Sequence, residues 1–109
     1  MATYLMLGKY TPGGIAGASP ARTKEITDLI TQCGGKVESM YALTGDQDLA
    51  FMVDFPSTEE VLRASFELAR STGISFNSNE AVPVAQFDRI ISTAGDAAKT
   101  PRRQVTVRA

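Results

Sequence analysis

The chain has 109 residues, 43% of them hydrophobic and 21% charged, which suits one water-facing domain with a core of its own. It has no histidine and a single cysteine, Cys33. That composition excludes Ser-His-Asp and Cys-His nucleophile pairs, histidine-held haem or iron, the usual zinc sites and an internal disulfide.

The net charge of −1 is uneven: residues 1–95 carry seven basic and eleven acidic side chains, while 96–109 set Lys99, Arg102, Arg103 and Arg108 against Asp96. We therefore expect a domain over 1–95 and a basic C-terminal tail over 96–109. No run reaches the ~18 apolar residues of a bilayer span. The opening MATYLMLGKY has no basic segment ahead of a long apolar stretch. A cytoplasmic protein that does not engage membranes is the expectation.

Thr3–Tyr10 reads as a first strand, with Leu5 and Leu7 on one face and Tyr4, Met6, Gly8 and Tyr10 on the other. TPGGIAGAS (11–19) is rich in breakers and reads as a loop. Ser19-Pro20 has the form of an N-cap followed by proline at the first helical position. Ile26, Leu29, Ile30 and Cys33 then keep helical spacing until Gly34-Gly35 stops the helix. Val37–Leu43 and Leu49–Phe55 flank a polar turn containing Gly45 and Asp46-Gln47-Asp48, the pattern of a β-hairpin.

Ser57-Thr58-Glu59-Glu60 reads as a capping box opening a second helix. The inward stripe of that helix is expected to be Val61, Leu62, Ser65, Phe66 and Ala69, with Gly73 at its end. Ile74–Val84 is a weaker strand that Pro83 marks as edge or terminal. Ala85–Ala94, holding Phe87, Ile90 and Ile91, is a short helix ended by Gly95. The order βαββαβ with a terminal helix predicts an α+β, ferredoxin-like split βαβ fold.

On these elements the chain resembles the GYD-domain family, whose name refers to a Gly-Tyr-Asp signature in the hairpin. The resemblance is carried by Tyr41, Gly45, Asp48 and Phe55-Pro56, by Gly14-Ile15, by Ser19-Pro20 with Arg22, and by Gln86-Phe87, spanning roughly residues 3–91. Gln47 stands where that family has tyrosine, so a role that needs a phenol there is lost. The resemblance implies a ferredoxin-like fold and little chemistry. Related folds pair their sheets, which implies a dimeric α/β barrel.

The two faces of the sheet carry the functional expectation. In the third strand Leu49, Phe51, Val53 and Phe55 are expected under the helices, leaving Asp48, Ala50, Met52 and Asp54 on the open face. Tyr4, Met6 and Tyr10 are assigned to that same open face in the first strand. An open face this apolar predicts a homodimer or a higher even oligomer. The ligand-lining candidates are Tyr4, Met6, Tyr10, Tyr41 and Met52, around a cavity for a small molecule. No residue set reads as catalytic machinery, and Asp54 and Tyr41 are the candidates for polar chemistry. An RNA-recognition surface is disfavoured, because Ala50 and Met52 occupy the positions of the stacking aromatics and Asp48 that of the basic residue.

Asp46, Asp48 and Asp54 are oxygen donors of the kind hard cations use, but two of them lie in a turn, where Asp bonds nearby backbone. No metal and no cofactor are expected. Cys33, at a helix C-terminus, is expected to be a boundary residue and not a reactive thiolate. The tail, with Val105 and Val107 alternating with polar neighbours, is expected to lie along a sheet edge as an added strand. Taken together, the sequence reads as a small dimeric ligand-binding or assembly protein. The alternative is a cofactor-free oxygenase- or isomerase-like enzyme, with a pocket between sheet and helices or between paired sheets.

Overall fold

A computed structural model describes residues 1–97. The elements are β1 (Ala2–Tyr10), α1 (Pro12–Ile15), α2 (Pro20–Gln32), β2 (Lys36–Ala42), β3 (Leu49–Phe55), α3 (Thr58–Thr72), β4 (Ile74–Ala81) and α4 (Val84–Ala97). The four strands form one antiparallel sheet in the order β2-β3-β1-β4. This is the ferredoxin-like arrangement that the element order predicts.

The expected barrel is not formed. β2 and β4 lie at opposite ends of the strand order and do not pair with each other, so the sheet is open. Four strands are about half the number that closes even a small filled barrel.

The core lies between the sheet and the helices α2 and α3. It comprises Phe51, Val53 and Phe55 of β3, Ile26 and Ile30 of α2, Val61, Ala64 and Leu68 of α3, and Ile74 of β4. Tyr4 and Met6 of β1 complete it, at 7% and 0% exposure. Each such burial contributes roughly 1.5–3 kcal/mol for a large apolar side chain.

The last finding reverses the expected faces of β1. Pairing sets Tyr4 opposite Val53 and Met6 opposite Phe51, so both point under the helices, while Leu5 and Leu7 stand opposite Met52 and Ala50 on the open face. Both faces of β1 are apolar, so alternation alone cannot choose between them. The register with β3 decides it.

The helices differ from expectation in detail. Ser19 does cap α2, its hydroxyl oxygen accepting from the Arg22 N–H at 3.1 Å. Ser57 stands at the N-cap of α3 but makes no side-chain cap bond to backbone. Its hydroxyl instead donates to the Glu60 carboxylate. The stripe of α3 is Val61, Ala64, Leu68 and Thr72, whereas Leu62 and Phe66 are exposed, with Arg70 lying over the Phe66 ring. The inward face is thus displaced from the expected one: Val61, Ala64 and Leu68 are buried, a stripe at spacings of three and four.

The segment read as a loop contains the single turn α1. Thr11 caps it by accepting from the Gly14 N–H at 3.0 Å and donates its own hydroxyl to the Gly73 carbonyl at 2.8 Å. Gly73 ends α3 with φ +74°, in the left-handed region that favours glycine. A Cβ on Gly14 would come within 2.7 Å of the Gly73 carbonyl oxygen, so the contact of these two turns requires glycine at 14 as well.

After β4 the chain passes through Val82 and Pro83 into α4, which continues through Gly95 to Ala97 rather than ending there. Residues 82–93 are all exposed. The expectation of a docked tail falls on residues of which 98–109 lie outside the described part. Among the described residues no helix is long and apolar enough to cross a membrane.

Candidate functional site

A cleft of about 200 Å³ lies between the first turns of α2 and the β1–β3–β2 end of the sheet. Its floor is apolar: Ile26 from α2, Phe51 and Leu49 from β3, and Met40 and Ala42 from β2. Its wall is polar, supplied by Tyr10 at the end of β1 and by Ser19, Arg22 and Thr23 at the start of α2. An apolar floor with a few convergent polar groups is the usual form of a small-molecule site.

Each wall residue is fixed by the local fold. Tyr10 is the last residue of β1, and its N–H donates to the Asp48 carboxylate at 2.8 Å. Asp48 is itself pinned, its N–H donating to the Gly8 carbonyl at 2.8 Å and its carbonyl accepting from Leu43 N–H at 2.8 Å. Lys9 Nζ adds a bond to the Asp46 carbonyl at 2.6 Å. The β2–β3 turn is thereby tied to the end of β1. The Asp48 carboxylate thus serves a backbone group, as turn chemistry favours. Gln47 is half-buried between Asp46 and Asp48.

Arg22 needs an explanation, because a cation in the first turn of a helix faces the positive end of the helix dipole. Two acceptors offset that. Its Nη1 donates to the Thr72 carbonyl at 3.1 Å, and its Nε lies 3.4 Å from Glu25 Oε1. The side chain is only 18% exposed. A guanidinium carries five N–H donors, so these two contacts do not use them all, and the group packs against Gly17, where a Cβ would clash with it.

The sequence candidates separate. Tyr10 is in the cleft wall. Tyr41 borders the cleft between the inward-facing Met40 and Ala42. Its register opposite Ala50 assigns its side chain to the open face, where it is 60% exposed. Tyr4 lies in the core, edge-on to Phe55 with centroids 5.9 Å apart, its hydroxyl 3.5 Å from Thr58 Oγ1. Met6 is fully buried there. Met52 is on the open face beside Leu5. Tyr4, Met6 and Met52 therefore do not line one cavity with Tyr10.

Asp54 is on the open face, four residues along β3 from the partner of Tyr41, a separation of about 13 Å. It accepts from Thr3 Oγ1 at 2.6 Å. That bond, and a second from Glu38, hold its carboxyl below its ordinary range, the opposite of what a general base needs. Glu38, displaced by the bulge between Val37 and Ser39, is pushed up by sharing a hydrogen bond with Asp54. Burial pushes the Cys33 thiol up, which keeps it protonated. Among the described residues no three His, Cys, Asp or Glu side chains gather in a way that would hold a metal.

A wider depression of about 480 Å³ runs along α2 past Lys24, Asp28 and Gln32, but all its lining comes from that one helix, with no opposing wall. The floor residues Ile26, Met40 and Phe51 were legible only as core. The one sequence signal for the site was an arginine placed where the helix dipole disfavours it.

Comparison with known proteins agrees with this geometry at the level of fold. The leucine response regulatory protein LrpA of Mycobacterium tuberculosis superposes with a TM-score of 0.55 at 12% identity, over 75% of this chain and 51% of that one. A homoserine dehydrogenase from Thiobacillus denitrificans gives a TM-score of 0.47 at 17% identity, over 72% of this chain and 17% of that one. The chain thus spans about half the length of the first structure, and the likeness shows the fold alone. A comparison with curated proteins returns no match. The GYD domain matches residues 4–91, including β1, the Asp48 turn, the Arg22 helix and the first half of α4. The chain belongs to the GYD domain family.

Proposed function

We propose that this protein is a small-molecule-binding module whose ligand enters the cleft between α2 and the sheet. The ligand has a compact apolar body and a carboxylate or similar anionic end. The observation that carries this reading is Arg22, a largely covered guanidinium in the wall of a cleft floored by Ile26, Leu49 and Phe51. A cleft of about 200 Å³ equals roughly seven water volumes at ~30 Å³ each, the size of a short branched-chain acid. The apolar floor takes the hydrocarbon, and the arginine takes the charge in a charge-assisted hydrogen bond. Binding is favoured over catalysis because the lining residues include no carboxylate and no pair able to pass a proton in both directions.

Calorimetric titration with a series of short branched and linear carboxylates, their amides and the matching alcohols tests this. The acids should bind, and the amides and alcohols should bind at least tenfold more weakly. Arg22→Met should remove that preference, since a hydrogen bond to a charged group contributes about 1.5–3 kcal/mol, or roughly 10- to 150-fold in Kd. Equal binding of acid and amide, or none of either at millimolar concentration, sinks the reading.

A further inference from the structure

Glycine at position 17 has no backbone reason. Among the described residues only Gly34 and Gly73 have positive φ, so the chain at 17 does not take the left-handed conformation that favours glycine. The Gly17 N–H donates to the Gly14 carbonyl at 3.1 Å, and the Ala18 N–H donates to the Ile15 carbonyl at 3.1 Å. The segment is held here by bonds that are indifferent to the side chain.

What the missing side chain leaves is room for Arg22. A Cβ on Gly17 would stand 2.8 Å from Arg22 Cζ and 3.3 Å from Nη1, and nearer still to Nη2. All three lie inside ordinary van der Waals separation. The guanidinium therefore rests on bare backbone at 17. Its Nη1 donates to the Thr72 carbonyl at 3.1 Å, and its Nε lies 3.4 Å from Glu25 Oε1. Thr72 ends α3, and the last carbonyls of a helix carry the negative end of its dipole. Two acceptors and one steric stop define where the head group sits.

We infer that Gly17 is a positioning residue for the cleft: by carrying no side chain it lets Arg22 lie in the cleft wall against the end of α3, and a side chain at 17 would turn the guanidinium away. The consequence for binding rests on the carboxylate reading of the cleft, whereas the placement of Arg22 does not. Which group yields follows from what a Cβ would meet. At Gly14 it meets the Gly73 carbonyl, so backbone must shift. At Gly17 the nearest atoms all belong to the far end of Arg22, whose long stem has other staggered rotamers to adopt. The side chain moves and the fold stays. The two glycines of one short segment thus serve different ends, one the packing of α1 on α3, the other the direction of Arg22.

The test uses the full chain with 15N-labelled arginine. The Arg22 Nε–H resonance, assigned by its loss in Arg22→Met, should move in Gly17→Ala and exchange with water at least fivefold faster. It should stay in place in Gly13→Ala, where a Cβ meets nothing within 4 Å. The melting temperature of Gly17→Ala should remain within about 5 °C of wild type, because the lost bond to Thr72 is offset by the lower unfolded-state entropy of alanine. Binding of 4-methylpentanoate should weaken at least fivefold in Gly17→Ala, and Gly17→Ala should add nothing in an Arg22→Met background.

An unchanged Arg22 Nε–H signal in Gly17→Ala overturns the inference whatever the ligand does. So does a moved signal with unchanged carboxylate affinity, or an equal weakening with and without the arginine, which would assign the effect to the shape of the cleft. A melting temperature lowered as far as in Gly14→Ala makes position 17 a packing site and also overturns it. If wild type binds no carboxylate, the reading of the cleft fails, and the Nε–H signal alone decides whether Gly17 places Arg22.

Discussion

Asp48 is predicted to be the acid that holds Tyr10 in the cleft wall, and its removal should act there first. Asp48→Ala deletes an acceptor 2.8 Å from the Tyr10 N–H. The backbone bonds that Asp48 makes to Gly8 and Leu43 remain available. A hydrogen bond to a charged acceptor contributes about 1.5–3 kcal/mol, and Tyr10 N–H would be left part-buried without it. For a folded unit of this size, about 2 kcal/mol lowers Tm by roughly 8–16 °C.

Stability loss alone does not locate the effect, so the assay is residue-resolved amide exchange. Tyr10 N–H should exchange at least tenfold faster in the variant beyond any change at Leu68, a fully buried residue of α3. If Tyr10 and Leu68 accelerate by the same factor, the variant has only lowered global stability. The proposed local role of Asp48 is then refuted. Carboxylate binding in the cleft should weaken in parallel with the Tyr10 effect.

Three further outcomes are expected. Met6→Ala, at a fully buried site, should cost about 2–5 kcal/mol, and Leu5→Ala on the open face clearly less; paired urea denaturation checks the face assignment of β1. Gly14→Ala should destabilise by about 1–3 kcal/mol, because its Cβ would come within 2.7 Å of the Gly73 carbonyl oxygen; thermal melts should show this, with Gly13→Ala, whose Cβ meets nothing within 4 Å, as the control.

Carboxyl NMR titration should find Glu38 titrating above its ordinary range and Asp54 below it, with Asp54→Asn returning Glu38 towards normal. The signs follow from linkage. The contribution of Asp54 is present above its unfolded pKa and is lost as pH falls through the lowered folded value. That of Glu38 is present below its unfolded pKa and is lost as pH rises through the raised folded value.

The fold was legible where pattern and turn chemistry agreed. β3 alternates cleanly, so its buried face was assigned correctly, and Ser19-Pro20 and Gly73 marked helix ends that the structure keeps. β1 was misassigned because Leu5 and Leu7 are as apolar as Tyr4 and Met6, and only pairing with β3 distinguishes them. The inward face of α3 was misread for a related reason. Leu62 and Phe66 are more hydrophobic than Ala64, yet Ala64 lies in line with Val61 and Leu68 and is the one fully buried. Gly95 was read as a stop, but a glycine ends a helix only where the chain takes up a left-handed cap, as at Gly73. The cleft was legible only in part. Its lining comes from β1, α2, β2 and β3, which no local window brings together, and of the five ligand-lining candidates only Tyr10 and Tyr41 border it.

The most direct test of the cleft as the binding site is a backbone amide NMR titration with 4-methylpentanoate, in wild type and Arg22→Met. The account predicts saturable shifts concentrated at Tyr10, Thr23, Met40 and Leu49, and their loss in the variant. Shifts centred on Leu5, Leu7 and Met52 of the open face, or the same pattern persisting in Arg22→Met, would contradict it.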